Sequence, residues 1–124
     1  MKNSFLMISA LALGLGGCAA SPEKLKNEAY DAYWQCASQA VRPYVGDTRL
    51  PPRQAALRAQ ARCNDPYQRF RNAQVGLVRH KVQADSADLA EQLGGQQALV
   101  WRQRVTRTLT DYVRQARRSG VGST

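Results

Sequence analysis

Polar and apolar residues recur with helical spacing along most of this chain. In its first periodic segment the polar positions are four and three residues apart and form one stripe: Lys24, Glu28, Asp31, Gln35, Ser38 and Arg42. The opposite side is wide and aromatic: Ala29, Tyr30, Tyr33, Trp34, Cys36, Ala37, Ala40 and Val41. A helix with such a face needs other elements to cover it. No stretch alternates with the period of a strand, so the pattern predicts an all-α fold.

The ends of this first helix have clear signals. Ser21 can cap a free backbone amide, Pro22 loses no hydrogen bond at the first helical position, and Glu23 meets the positive end of the helix dipole. Pro43 disfavours helical geometry at Arg42, so we expect the helix to end there. Residues 43–52 are then predicted to form the connecting loop.

A second helix is predicted from Pro52 to about Val82. Its apolar positions fall near one face: Ala55, Ala59, Cys63, Phe70, Ala73 and Leu77. Asn64-Asp65-Pro66 interrupts this pattern, because proline removes one backbone hydrogen bond. We expect either a kink near Pro66 or a new helix with Asp65 as its cap.

A third helix is predicted after a joint at residues 83–88, where Asp85 or Ser86 can act as the cap. Gly94-Gly95 weakens this helix early, so residues 89–93 form either its first turns or a separate short turn. Beyond the glycines one face is apolar: Ala98, Trp101, Val105, Leu109, Tyr112, Val113 and Ala116. Another face is polar: Arg104, Arg107, Asp111, Arg114 and Arg118. The pattern therefore predicts a bundle of three main helices in one domain at 22–118, followed by a flexible tail at 119–124.

The N-terminus has the layout of an export signal. Lys2 precedes an apolar run of about eleven residues, and a membrane-spanning helix needs about twenty. Leu15-Gly16-Gly17-Cys18 then resembles the lipobox of bacterial lipoproteins. The resemblance implies a signal peptide at 1–17, cleavage before Cys18, a diacylglycerol on its sulfur and a fatty acid on its new amine. Residues 18–21 would be the lipidated N-terminus and a short tether.

The number of cysteines agrees with this interpretation. Three cysteines in an exported chain leave one unpaired, and a lipid on Cys18 reduces the set to Cys36 and Cys63. If the turn lies between residues 45 and 52, Cys36 is about 13 Å down the first helix and Cys63 about 16 Å up the second. These levels match, so we predict one disulfide between Cys36 and Cys63.

Charge narrows the set of partners. The 124-residue chain carries a formal charge of +9, and residues 49–81 alone carry +7. Arg58, Arg62 and Arg69 share one stripe of the predicted second helix, either as a solvated face or as an anion-binding surface. Nucleic acid is the usual partner for such a charge, but export to the envelope argues against it, so we expect no nucleic-acid partner. Phospholipid headgroups, lipopolysaccharide phosphates and acidic protein patches are the anions within reach.

No catalytic or metal-binding motif is present in the sequence. The single histidine, His80, has no nucleophile or paired carboxylate at a recognisable spacing, and we expect it at a surface or helix end. With no third thiolate there is no ligand set for structural zinc. The sequence predicts a protein that is not an enzyme and needs no cofactor.

The tether suggests where the protein works. Only Ala19 and Ala20 separate Cys18 from Ser21, so the domain would be held against a membrane. By resemblance to lipoprotein sorting in enteric-type bacteria, alanine after the lipidated cysteine implies the periplasmic side of the outer membrane, with inner-membrane retention left open. Two functions compete. One is an accessory or assembly factor holding a helix of an envelope protein, by analogy with helical pilotins. The other is an envelope protein that engages anionic lipid or lipopolysaccharide, or an exclusion or immunity lipoprotein.

Overall fold

A computed structural model describes residues 20–82 and 87–120 and contains only helices there. The helices are α1 (Pro22–Ala40), α2 (Arg42–Val45), α3 (Pro52–Ala61), α4 (Asn64–Val82) and α5 (Ala87–Arg118). The all-α prediction is confirmed, but the prediction of three main helices is wrong, because four long helices and one short one form. The signal peptide, Cys18, the proposed cap at Asp85 or Ser86 and tail residues 121–124 lie outside the described residues.

The start of α1 agrees with its sequence signals and its end does not. The Ser21 hydroxyl accepts the Lys24 amide at 3.2 Å, and Pro22 occupies the first turn. The helix ends at Ala40, and Pro43 lies in the first turn of α2, inside the segment predicted to be a loop. Proline is well tolerated there because the first-turn amides need no intrahelical partner.

The predicted second helix is two helices. α3 ends at Ala61, and α4 begins at Asn64 with the Cys63 carbonyl accepting the Tyr67 amide at 3.1 Å. Asp65 is therefore in the first turn of α4 and not at its cap, which corrects that alternative. A proline inside a continuous helix leaves a carbonyl of the preceding turn without its amide partner, whereas a proline in the first turn of a new helix removes no hydrogen bond. The chain therefore breaks ahead of Pro66.

The predicted weakness at Gly94-Gly95 does not break α5, which runs unbroken for 32 residues. Both glycines are buried. A Cβ added at Gly94 would lie 2.6 Å from the Val75 Cα of α4, so the missing side chain permits a close approach of the two helices. Tertiary packing offsets the helix propensity that the glycines lose.

The directions of the helices follow from their contacts. α4 is antiparallel to α5, because Tyr67 meets Arg102 while Val75 meets Gly94. α1 runs parallel to α5: the Tyr30 ring is 5.1 Å from Trp101, and farther along both helices Ser38 lines a cavity with Tyr112. Ser21 therefore lies at the end of the bundle where α4 finishes and α5 starts.

Aromatic rings and one disulfide hold the centre of the bundle. Tyr33 and Phe70 are fully buried and stack with their centroids 6.2 Å apart. The predicted disulfide between Cys36 and Cys63 is present, with an S–S distance of 2.07 Å and a Cα–Cα distance of 5.9 Å. It joins α1 to the break between α3 and α4. Tyr112, predicted on the apolar face of α5, is instead 40 % exposed.

The loop after α2 is tied to the C-terminal end of α5. The Arg117 guanidinium donates to the carbonyl oxygens of Tyr44, Val45 and Asp47 at 3.1, 2.9 and 2.8 Å. These carbonyls end or follow a short helix, and those of Tyr44 and Asp47 also accept backbone amides of the loop. Arg117 therefore adds a cap from a distant helix to a turn that is already hydrogen-bonded.

Candidate functional site

A chain of buried hydrogen bonds positions α3 against α5. The Tyr33 hydroxyl donates to Gln60 Oε1, and Gln60 Nε2 donates to the Thr106 hydroxyl at 2.5 Å. Thr106 donates in turn to the Arg102 carbonyl at 3.1 Å. Burial raises the pKa of Tyr33 well above its usual value, and the nearby Arg102 opposes this only in part. The tyrosine is therefore a neutral donor that links α1, α3 and α5.

A groove runs beside this chain of hydrogen bonds, between α3 and α5. We call it the α3–α5 groove. Its larger compartment has a volume of about 480 Å³, and an adjoining compartment of about 280 Å³ shares three lining residues with it. The larger compartment is lined by Arg53, Leu57, Leu99, Arg102, Gln103, Thr106 and Arg107. Thr110, Asp111 and Arg114 extend the lining along α5.

The groove combines apolar and cationic surface. Leu57 is 38 % exposed and Leu99 is 50 % exposed. Exposed leucines that cluster mark binding sites for partners or ligands, whereas isolated ones are common on any protein surface. Arg53, Arg102 and Arg107 form no ion pair with any described residue. The lining includes one acidic residue, Asp111, which pairs with Arg114 at 3.4 Å.

One of these arginines is held in place. The Arg102 guanidinium carbon lies 4.8 Å from the centroid of the Tyr67 ring, and its side chain is half-buried. A cation over an aromatic face keeps its charge and loses part of its conformational freedom. Arg102 is thus a preorganised cation at the edge of an apolar floor, which is the arrangement that binds a carboxylate or phosphate with the least ordering cost.

The arginines predicted as an anion-binding stripe lie elsewhere. Arg58, Arg62 and Arg69 are all exposed, and none of them lines the α3–α5 groove. Arg58 belongs to α3, Arg62 follows its last turn and Arg69 belongs to α4. The predicted stripe assumes one continuous helix. Because the chain breaks between α3 and α4, helical spacing no longer places Arg69 on the same face as Arg58 and Arg62.

Charge is unevenly distributed along the bundle. Residues 30–70 and 100–120 form the half away from Ser21, and they contain twelve arginines and four aspartates, a net charge of +8. The other half of the bundle includes Ser21. Its described residues contain five cations and four anions, a net charge of +1. The α3–α5 groove lies mainly in the basic half.

Other candidate chemistry is sparse. A smaller cavity of about 200 Å³ lies between α1 and α5, lined by Trp34, Ser38, Arg42, Thr108, Leu109 and Tyr112. His80 is exposed in the last turn of α4, as predicted. Within residues 20–82 and 87–120, no group of His, Cys, Asp and Glu side chains is arranged to hold a metal ion. No helix in those ranges is both long and apolar enough to cross a membrane.

Comparison with known proteins adds no relative. No protein-family model, curated protein or solved structure matches this chain. The groove itself was partly visible in the sequence, because Arg107 and Arg114 belong to the polar face predicted on the third helix. Leu57 and Leu99 were the missed signal, since each falls outside the apolar face predicted for its helix and stands near arginines. The site must therefore be interpreted from its own geometry.

Proposed function

We propose that this chain is a lipid-anchored, non-catalytic binding protein of the bacterial cell envelope. Lipid on Cys18 holds the domain on the periplasmic side of the outer membrane, and the α3–α5 groove engages an envelope protein there. The function is that of an accessory or assembly factor. The lipobox-like Leu15-Gly16-Gly17-Cys18 segment and the odd number of cysteines support the anchor.

The observation that carries the proposal is the separation of Ser21 from the far part of the groove. Pro22 lies eight residues before Tyr30, and Tyr30 is level with Trp101. Arg107 lies six residues beyond Trp101. At 1.5 Å per residue, the start of α1 and Arg107 are therefore about 21 Å apart along the bundle. Leu99, at the near end of the groove, is about 9 Å from the start of α1 by the same measure. A lipid attached just before Ser21 therefore leaves the far part of the groove, around Arg107, accessible to a protein in the periplasm.

Labelling with a fatty acid tests the anchor. Cells that express the full-length chain should incorporate labelled palmitate into the protein, and the label should sediment with the outer membrane in a density gradient. Cys18→Ser should abolish the incorporation and leave the signal uncleaved or the protein soluble. Cys36→Ser is the matched control, because it removes a cysteine without removing the lipidation site. Incorporation that survives Cys18→Ser would refute the anchor.

A second candidate function rests on Arg58, Arg62 and Arg69. All three are exposed, and none forms an ion pair with a described residue. Each arginine near an anionic membrane surface contributes about 1 kcal/mol, an attraction that fades within a Debye length of about 8 to 10 Å. Under this alternative, anionic vesicles should bind the protein in a salt-sensitive way, and reversal of all three charges should abolish the binding. Equal binding by both forms would exclude it.

A further inference from the structure

We infer that the α3–α5 groove binds an amphipathic helix that carries apolar side chains flanked by carboxylates. The inference rests on the proposed function and specifies the chemistry of the protein partner. Its elements are the exposed leucine floor, the arginines that lack carboxylates among the described residues, and the length of the groove.

The floor of the groove accounts for the apolar part of the partner. Leu57 and Leu99 belong to different helices and line the same compartment. One leucine, methionine or phenylalanine side chain of the partner can cover both leucines. Its contact removes apolar surface from water on Leu57, on Leu99 and on the partner side chain itself. Helices that dock in grooves place such side chains at intervals of three, four and seven residues.

The rim accounts for the acidic part. Arg53 lines the groove from α3, and Arg102 and Arg107 line it from α5. Arg114 lies farther along α5 but already pairs with Asp111 at 3.4 Å. Five residues separate Arg102 from Arg107, which corresponds to about 7.5 Å along α5. A partner helix lying along the groove would meet Arg53, Arg102 and Arg107 with carboxylates beside its apolar face, at the spacings of three, four and seven residues that keep side chains on one side of a helix. Charge complementarity of this kind sets the register and the association rate.

The dimensions suit a helix of ordinary length. The lining residues on α5 extend from Leu99 to Arg114, and fifteen residues of helix cover about 22 Å. About four helical turns of partner would fill this distance. A lipid headgroup would use only a small part of it, and the groove extends away from the anchored end, from Leu99 at about 9 Å along the bundle from the start of α1 to Arg114 at about 32 Å. Both facts favour a protein segment over the bilayer in which the chain is anchored.

The test selects displayed helical peptides for binding to the full-length protein, which is kept in a neutral detergent. A library of 18-residue helical peptides with randomised surface positions should yield binders that combine apolar residues at helical spacing with glutamate or aspartate. Selected peptides, made synthetically and labelled, are then titrated against variants. The double variant Arg53→Glu with Arg107→Glu should weaken binding at least tenfold, and Leu99→Gln at least fivefold.

Matched controls separate the groove from general electrostatics. Arg58→Glu with Arg69→Glu reverses the same number of charges outside the groove and should change binding less than threefold. Leu25 is as exposed as Leu99, at 50 %, but lies near the Ser21 end, so Leu25→Gln should leave binding unchanged. Circular dichroism and thermal unfolding of each variant report whether it is folded.

Several results would overturn the inference. Enrichment of no peptide, or of peptides without acidic residues, contradicts it, and so does an equal loss of binding in the Arg58 and Arg69 control. If phosphatidylglycerol vesicles bind with the same dependence on Arg53 and Arg107 and displace the peptide, the groove is a lipid site instead. The selection does not require the anchor, so its failure and the failure of fatty-acid labelling are distinguishable.

Discussion

The hydrogen bond between Tyr33 and Gln60 joins two buried side chains of α1 and α3. Tyr33 is fully buried, Gln60 is 3 % exposed, and both amide atoms of Gln60 are used, one with Tyr33 and one with Thr106. A buried polar group left without a partner costs more free energy than its hydrogen bond contributes when made. Every member of this chain of hydrogen bonds is therefore needed for the others.

Tyr33→Phe should lower the free energy of unfolding by about 1 to 3 kcal/mol, because it leaves Gln60 Oε1 buried without its donor. Urea denaturation followed by circular dichroism measures the change. Tyr30→Phe is the control: Tyr30 also contacts the Phe70 ring but is only half-buried, and its loss should cost less than about 0.5 kcal/mol. Similar losses in the two variants would contradict the assigned role of the Tyr33 hydroxyl.

The same residue predicts how stability depends on alkaline pH. Unfolded Tyr33 ionises near its usual pKa of 10.0, whereas burial raises the pKa in the folded protein. Its contribution is fully present below pH 10 and is lost as the pH rises above that value, because the unfolded state then releases the proton first. Between pH 10 and 11 the wild type should lose about 1 kcal/mol more stability than Tyr33→Phe.

Among the helices, the pair α4 and α5 shows how packing overrides local preference. Gly94 brings the two backbones together, and the Arg71 guanidinium lies beside Gly95 and pairs with Glu91 at 2.6 Å. The glycines allow this approach at a cost in helix propensity of about 1 kcal/mol each. Close packing along α5 recovers that cost, so the helix continues where its local sequence favours a break.

Gly94→Ala should lower the free energy of unfolding by about 1 to 3 kcal/mol, because the new Cβ would meet the Val75 backbone and force the helices apart. Gly76→Ala provides the matched control. Gly76 is exposed within α4 and has nothing within 4 Å of an added Cβ, so alanine there should stabilise by about 0.5 to 1 kcal/mol. Thermal unfolding of both variants gives the signs, and stabilisation by Gly94→Ala would refute the close-packing argument.

At the scale of the whole molecule, one covalent link and one asymmetry of charge stand out. The Cys36–Cys63 disulfide closes a loop with a sequence separation of 27 residues and joins α1 to the junction of α3 and α4. The half of the bundle away from Ser21 carries nearly all the net positive charge. The disulfide reduces the conformational entropy of the unfolded chain. The charge asymmetry places a basic surface away from the proposed anchor.

Replacing both Cys36 and Cys63 with serine should destabilise the protein by about 3 to 4 kcal/mol in the loop-entropy model. Denaturant titration of the oxidised wild type and the double variant measures this difference. Under reducing conditions the wild type should approach the variant, whereas the variant should not respond to the reductant. A double variant as stable as the oxidised wild type would show that the disulfide does not stabilise the fold by reducing the entropy of the unfolded chain.

Several features of the fold could be predicted from local sequence because they depend on neighbours in the chain. Ser21 and Pro22 mark the start of α1 through a cap and a first-turn proline, and Pro52 marks the start of α3 as a first-turn proline without a side-chain cap. Burial of Ala37, Phe70 and Val105 follows from helical spacing alone. Cysteine number and helix levels identified the Cys36–Cys63 pair.

The helix breaks and the groove depended instead on contacts between residues distant in sequence. Gly94 remains helical because Val75 approaches it, and the segment after Ala40 forms α2 with its carbonyls held by Arg117. Beside the α3–α5 groove, Gln60 joins Tyr33 to Thr106 across three helices. Spacing along the chain determined the helical class, the core faces and the disulfide, since each is a periodic or pairwise property of the sequence. Tertiary structure decided where helices break and which arginines share a surface, because those depend on close approaches that local sequence does not encode.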